Sequence, residues 1–311
     1  MARDVTVSAM SILDEGFNWH FPAGSTADGR EIVRITPQAA HWGYSGLRVL
    51  DLARADTYLG NTGGDEVIVL PLAGSCTVDT DAGGADLVGR DDPFSEVTDC
   101  AYIPRDTAYE INTGNGGRFA LATARSAAEG LPFRHVKRDE VKVELRGAGN
   151  CSRRVNNFGT PDVLEADRLI ACEVFTPAGN WSSFPPHKHD TDRPGESVLE
   201  EIYYFEVADG PNGQPGLAYQ RVYGTPDRPA DVLAEVRSGD VVIVPHGWHG
   251  PSMAAPGYDL YYLNVLAGPA QQRSMAFCDD PAHAWIRQSW GGQQLDPRLP
   301  MSAADENQGV R

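Results

Sequence analysis

Short apolar runs, each closed by a cluster of turn-forming residues, constrain this chain more than any other feature. The runs fall at 47–52, 67–72, 101–103, 118–122, 169–175, 201–207, 217–223, 241–244 and 258–265. Gly63-Gly64-Asp65, Gly114-Asn115-Gly116-Gly117 and Pro211-Asn212-Gly213 stand between them. Helical periodicity is scarce by comparison. A chain that changes direction this often, with 33 glycines and 22 prolines to do it, is expected to be an all-β sandwich or barrel.

A weak internal repeat divides the chain. Asp65-Glu66-Val67-Ile68-Val69-Leu70 opens a strand in the first half, and Ala101-Tyr102-Ile103-Pro104-Arg105-Asp106 closes one. Glu200-Glu201-Ile202-Tyr203-Tyr204-Phe205 and Val242-Ile243-Val244-Pro245-His246-Gly247 repeat the pattern in the second half. Two copies of one β-unit are expected. The resulting division is an N-terminal unit over 1–130, a charged linker over 131–156, a second unit over 157–270 and a tail over 271–311. In the tail, Asp279-Asp280-Pro281 predicts the start of a short helix, and the last ten residues read as polar and frayed.

Charge and cysteine content remove several function classes. The net charge of −17 argues against nucleic acid and against an anionic membrane surface as partners. An anionic substrate would need local arginines. The five cysteines, Cys76, Cys100, Cys151, Cys172 and Cys278, form no CxxC pair, which disfavours both a disulfide framework and a thiolate zinc site. No apolar leader occurs in residues 1–10 and no window is long enough to span a bilayer, so a cytoplasmic protein is expected.

Only the second unit carries a metal-ligand pattern. His187 and His189 flank Lys188 at a spacing that puts both imidazoles on one face of a strand. Glu201 opens the next strand, and parity selects it over Glu200, because Glu201, Tyr203 and Phe205 share one face. Gly239-Asp240-Val241-Val242-Ile243-Val244-Pro245-His246-Gly247-Trp248-His249 ends a third strand in a turn that presents His249. An HxH alone is weak, but with the glutamate and the Gly-Pro-Gly-His frame it makes a first shell for a divalent transition metal, with positions left for substrate. His246 reads as a turn residue beside the site. His20, His41, His135 and His283 lack partners at ligand spacing and read as core or surface histidines.

These motifs resemble the cupin superfamily, with two departures: a longer gap between His189 and Glu201, and a single residue, Trp248, between Gly247 and His249. The resemblance narrows to the 5-deoxy-glucuronate isomerases of bacterial myo-inositol catabolism. It is carried by Trp181-Ser182-Ser183-Phe184-Pro185-Pro186-His187-Lys188-His189-Asp190, Gln220-Arg221-Val222-Tyr223, Pro256-Gly257-Tyr258-Asp259-Leu260-Tyr261-Tyr262-Leu263-Asn264-Val265, Asp279-Asp280-Pro281, Trp42-Gly43-Tyr44-Ser45-Gly46-Leu47 and Cys151-Ser152-Arg153-Arg154-Val155-Asn156-Asn157. It spans roughly Gly16 to Pro300. It implies a bicupin of two tandem jelly-roll-like barrels, the first degenerate and without metal. It also implies an aldose–ketose isomerisation of 5-deoxy-glucuronate to 5-dehydro-2-deoxy-gluconate. From the related 4-deoxy-threo-hexosulose-uronate isomerases it carries zinc, with manganese or iron as alternatives, onto His187, His189, Glu201 and His249.

For such a reaction the substrate carboxylate needs a cation. Arg221 is the first candidate, with Arg153 or Arg154 second. Tyr203, Tyr262 and Asn264 are expected to line the cavity. The proton shuttle is open between Glu201 if it leaves the metal, a metal-bound hydroxide and Tyr262, and a metal-assisted hydride shift is the alternative. Two other readings share the ligand set: an Fe²⁺ bicupin dioxygenase and a sugar-binding module without turnover. The paired sheets of such proteins extend readily into homo-oligomers.

Overall fold

The computed structural model describes residues 18–270 and 272–301; the readings made for residues 1–10 and 302–311 lie outside them. Three main sheets account for the architecture. The sheet that carries the candidate site has seven antiparallel strands in the order His20–Phe21, Val241–Val244, Glu200–Val207, Leu260–Ala267, Ile170–Thr176, Arg153–Asn157 and Lys142–Arg146. A six-stranded sheet faces it across the candidate site. Its order is Arg228–Val236, Ala218–Thr225, Trp248–Ala254, His187–Lys188 and Cys278–Asp279, with Trp181–Ser182 also on Trp248–Ala254.

The third sheet has nine strands and belongs to the first half. Its spine is the 16-residue strand Asp65–Thr80. The first part of this strand pairs with Gly117–Arg125 and Cys100–Ile103, and the second with Gly83–Arg90 and Ala108–Thr113. The change of partner falls at an irregularity around Pro71–Gly74. Gly74 makes it, with φ +90°, where a Cβ would stand 2.6 Å from the Gly116 carbonyl oxygen. One long strand so serves both walls of a small barrel-like unit. Among the described residues the strand pairing gives facing sheets, and no hydrogen-bonded ring closes either half.

Side-chain alternation sorts this unit's apolar residues into two cores. Val67, Val69, Leu50, Phe119 and Leu121 point into the first half, with Tyr58 and Tyr109, and fill its interior. Ile68, Leu70, Leu47, Val49, Ala120 and Ala122 point the other way. They share one core with Ile202, Tyr204, Leu263 and Val265 of the seven-stranded sheet. That sheet is therefore buried on both faces, by the cavity on one side and by the first half on the other.

Two carboxylates fasten the halves, Glu66 buried and Glu200 half-buried. Glu200, excluded from the site by parity, accepts the Gly43, Tyr44 and Ser45 backbone N–H groups at 2.7, 2.8 and 2.8 Å. Glu66 does the same in reverse, accepting the Asp167, Arg168 and Leu169 N–H groups at 2.8, 2.7 and 2.7 Å and the Tyr102 hydroxyl at 2.8 Å. Each half thus grips the chain as it enters the first long strand of the other. Glu66 therefore corresponds to Glu200, and an apolar valine, Val67, follows it where Glu201 follows Glu200.

The expected unit boundaries do not coincide with the sheets. His20–Phe21 joins the second half's sheet. Within 131–156, Arg134–Val136 pairs with the first half and Lys142–Arg146 with the second. The tail contributes the strand Cys278–Asp279 and the helix Trp285–Ser289.

Candidate metal centre and cavity

His187 and His249 are cross-strand partners on His187–Lys188 and Trp248–Ala254. The turn before His249 requires Gly247: its φ is +89°, and a Cβ there would sit 2.7 Å from the Tyr223 carbonyl oxygen. Asp190 ties the two ligand-bearing segments together from behind. It accepts the Gly247 N–H at 2.9 Å and pairs with the Lys188 ammonium at 2.5 Å, while Glu196 takes the same ammonium at 2.6 Å. Lys188 also lies over the Trp248 ring, 5.5 Å from its centroid. The longer gap between His189 and Glu201 is folded into the hairpin Asp190–Arg193 and Glu196–Val198.

His189, Glu201 and His249 converge: one ligand atom from each lies within 4.8 Å of the others, and all three residues are buried. Glu201 Oε2 is 3.0 Å from His189 Nε2 and 3.0 Å from His249 Nε2. The other ring nitrogens face backbone carbonyls, His189 Nδ1 at 3.1 Å from Leu199 O and His249 Nδ1 at 3.3 Å from Gly247 O. With protons placed on Nδ1 to satisfy those carbonyls, both Nε2 atoms are acceptors aimed at a carboxylate. Three acceptors converging in a buried site call for a cation. His249 Nε2 supports this, because despite its 3.0 Å separation from Glu201 it makes no hydrogen bond. The donors suit a divalent metal of the zinc, manganese or iron type. His187 adjoins the three without joining them. Its ring centroid is 4.4 Å from that of His249 but 6.3 Å from that of His189, and its buried Nδ1 has no hydrogen-bond partner.

Burial alone would raise the Glu201 carboxyl, but the facing imidazoles of His249 and His189 outweigh it and hold it well below the usual range. Burial would lower His189, but Glu201 outweighs it and raises the imidazole, so that without a metal a proton on Nε2 takes the place of the cation. His187, buried beside His249, is pushed well below its ordinary value.

A cavity opens from this group. Its walls include Tyr203, Tyr262 and Asn264 of the seven-stranded sheet, Arg146 and Arg153 of its far edge, and Phe277 and Arg287 of the tail. Glu201 is the only carboxylate among the lining residues. Arg146 is forked onto Glu144 at 2.9 and 2.7 Å, and Arg287 onto Asp279 at 2.5 and 2.7 Å. Arg153 has no carboxylate partner among the described residues. It donates to the Cys151 carbonyl at 3.0 Å and lies over the Trp290 ring. Burial lowers its pKa to about 10, with Arg146 and Arg287 adding to the effect against an opposing contribution from Tyr262. Cys172, also in the wall, is no thiolate, because burial pushes it up to about 12.

The sequence pattern of the KduI/IolB family matches residues 19–286, which include this whole constellation apart from Arg287. The chain belongs to the KduI/IolB family. Among its relatives, the 5-deoxy-glucuronate isomerase of Geobacillus kaustophilus is 41% identical over 271 residues, 86% of this chain and 95% of that protein. The enzyme of the same name from Bacillus subtilis strain 168 is 39% identical over 264 residues, 84% of this chain and 94% of that one. The crystal structure of an IolB-like protein from Salmonella typhimurium LT2 superposes with a TM-score of 0.79 at 35% identity, covering 87% of this chain and 99% of that chain. The oxalate decarboxylase of Lactobacillus farciminis shares the all-β cupin fold, with a TM-score of 0.61 at 13% identity over 85% of this chain and 89% of that one.

In this KduI/IolB chain the structure brings Tyr203, Tyr262, Asn264 and Arg153 to the cavity with the metal-ligand candidates. It does not bring Arg221 there. Arg221 projects to the outer side of the six-stranded sheet, where it pairs with Asp231 at 2.5 Å and stacks on Tyr223. Arg154 is buried against the Phe175 ring, 3.9 Å from its centroid, and is not among the lining residues. Sequence reasoning missed Arg146, Arg287 and Phe277. The one available signal was Asp279-Asp280-Pro281, which marks the helix that carries Arg287. Among the described residues no helix is long and apolar enough to cross a membrane.

Proposed function

We propose that this chain is a metal-dependent aldose–ketose isomerase that converts 5-deoxy-glucuronate to 5-dehydro-2-deoxy-gluconate. The observation that carries the reading is one cavity with a His–Glu–His group at one side and, in its wall, a buried guanidinium that lacks a carboxylate partner among the described residues. A sugar acid presents matching chemistry: a carbonyl with a neighbouring hydroxyl, and a carboxylate. The relatives named 5-deoxy-glucuronate isomerase support the same choice.

His189, Glu201 and His249 would hold the metal, zinc by preference, with His187 as the adjoining fourth candidate. When bound, the metal supplies Lewis acidity toward the substrate's oxygens. Arg153 binds the carboxylate and fixes which end of the substrate enters first. The isomerisation removes a proton from C2 and delivers one to C1, while a proton passes from the C2 hydroxyl to the C1 oxygen. Both imidazoles address Oε2 of Glu201; its Oε1, on the one carboxylate among the described lining residues, takes the C2 proton if Glu201 leaves the metal. Tyr262 holds its own proton, since burial raises it against the opposing effect of Arg153. Its hydroxyl, 3.0 Å from Ser183 Oγ, donates to a substrate oxygen. Tyr203, 3.3 Å from the same Oγ, completes the polar wall.

A proton NMR time course in D₂O tests the proposal, with 5-deoxy-glucuronate and enzyme reconstituted in turn with Zn²⁺, Mn²⁺ and Fe²⁺. The expected result is conversion to the ketose with solvent deuterium at C1, lost in His249→Ala. No conversion with any of the three metals would overturn the assignment.

A further inference from the structure

We infer that Arg287, delivered by the C-terminal tail, is the second guanidinium of a carboxylate-binding site built around Arg153, and that this pair selects acidic over neutral sugar chains. The inference deepens the function proposed above: it takes the carbon chain from that reading, while the anion site stands on its own observations.

Arg153 and Arg287 come from the strand Arg153–Asn157 and the helix Trp285–Ser289, yet both line the cavity and both lie over one indole. The Trp290 ring centroid is 5.8 Å from the Arg153 guanidinium carbon and 5.3 Å from that of Arg287. Arg287 also lies over Phe277, at 5.4 Å. Two aromatic contacts hold the guanidinium plane before any ligand arrives, which lowers the ordering cost of binding. Arg146, the third cation of the cavity wall, has no such aromatic contact among the described residues.

The hydrogen bonds leave Arg287 with an open edge. A guanidinium carries five N–H donors. Asp279 takes Nε and Nη2, the side-on edge. Among the described residues nothing takes Nη1 or the second hydrogen of Nη2, the end-on edge that suits a carboxylate. Charge points the same way. Three guanidiniums (Arg146, Arg153 and Arg287) face two partner carboxylates, Glu144 and Asp279. Apart from Glu201 and the metal it would hold, the surplus is a single positive charge, buried with Arg153, and one carboxylate neutralises it. Asp279 also fixes where this happens relative to the metal group, because it is the cross-strand partner of His187.

D-gluconate, a six-carbon polyhydroxy acid with no carbonyl to isomerise, is the probe, and D-glucitol is its neutral counterpart. Calorimetric titration of metal-loaded wild type, Arg287→Met and Arg287→Lys measures both. The expected result is gluconate binding that weakens about tenfold or more in Arg287→Met, with partial recovery in Arg287→Lys, which keeps the charge but not the fork. Metal content and circular dichroism identify a variant that has lost its fold, in which case Arg287→Lys alone decides, being weaker than wild type for gluconate and not for glucitol. Undiminished gluconate binding in the variants, equal loss for both probes in a folded variant, or no gluconate affinity in the wild type would overturn the inference. Arg287-dependent gluconate binding by a protein that does not isomerise 5-deoxy-glucuronate would instead remove the proposed function and leave the anion site standing.

Discussion

Glu200 and Glu201 are adjacent in sequence, point to opposite faces of one strand, and are predicted to fail in opposite ways. Glu200→Gln keeps the shape of the side chain but turns one carboxylate oxygen into an NH₂ group. The amide oxygen can keep the Tyr44 and Ser45 N–H groups; the NH₂ then faces the Gly43 N–H, 2.7 Å away in the wild type. Gly43 is exposed, so its N–H can turn to water, and the main loss is that the Tyr44 and Ser45 bonds change from charge-assisted to neutral, about 1 kcal/mol each. Burial raises the Glu200 carboxyl despite its three N–H partners, so removing the charge recovers part of that cost. The net expectation is a loss of about 1 to 2 kcal/mol, on the order of 2 to 4 °C in Tm for a chain of this size. The rise in Tm on adding Zn²⁺ should survive. In Glu201→Gln the amide can donate its two hydrogens to the acceptors at His189 Nε2 and His249 Nε2, so the metal-free protein should stay within about 1 kcal/mol of wild type. The Zn²⁺-induced rise in Tm should disappear, since metal binding stabilises only through the folded state. Differential scanning calorimetry of chelator-treated protein, with and without added Zn²⁺, reads all four values. If Glu200→Gln abolishes the metal-induced rise, or Glu201→Gln lowers the metal-free Tm as much as Glu200→Gln does, the assignment of faces is refuted.

Glu66 is buried, so Glu66→Gln breaks the reciprocal clasp and should cost about 2 kcal/mol through one N–H misplaced away from water; urea unfolding checks it, and a loss no larger than that of an exposed control such as Asp81→Asn counts against the clasp. For Asp190, burial works to raise the carboxyl, but Lys188, the Gly247 N–H and Thr191 outweigh it and hold it below the unfolded value of 3.8. A depressed folded-state pKa contributes stability that is complete above the unfolded value and lost as the pH falls toward the folded one. Asp190→Asn should therefore melt below wild type at neutral pH, with the gap narrowing as the pH drops under about 4. A gap independent of pH in thermal melts would show that the ion pair is not what the substitution removes.

What was legible in the sequence was mostly local. Strand positions follow from runs and turns, and the separation of Glu201 from Glu200 follows from a period of two that the backbone enforces. The HxH was less predictable than its spacing suggested. The strand His187–Lys188 ends before His189, so alternation no longer governs that residue, and the His187 ring lies nearer to that of His249 than to that of His189. Arg221 shows the limit for charges. A strand pattern says that an arginine alternates, but not which side of which sheet it meets, and its partner Asp231 lies across a hairpin. Arg287 could not be placed at all. Its position depends on a two-residue strand pairing with His187 and on stacking against Phe277 and Trp290, none of which leaves a periodic trace.

The strand His20–Phe21 has a consequence for how this protein is made. It pairs with Val241–Val244, and Asp240 secures the join by accepting the Ala23 N–H at 2.8 Å and lying 3.0 Å from His20 Nε2. A ribosome therefore releases these early residues long before it has synthesised their partner. Until residue 244 emerges, His20–Phe21 lacks the strand it pairs with. Once Val241–Val244 has paired with the strand bearing Glu201, it keeps a bare edge until that docking occurs. The growing chain is then most exposed to wrong pairing late in synthesis, in the sheet that carries the chemistry. Trimming residues 18–23 should accordingly be felt at the second half's metal-bearing sheet, and not in the half from which the residues were removed.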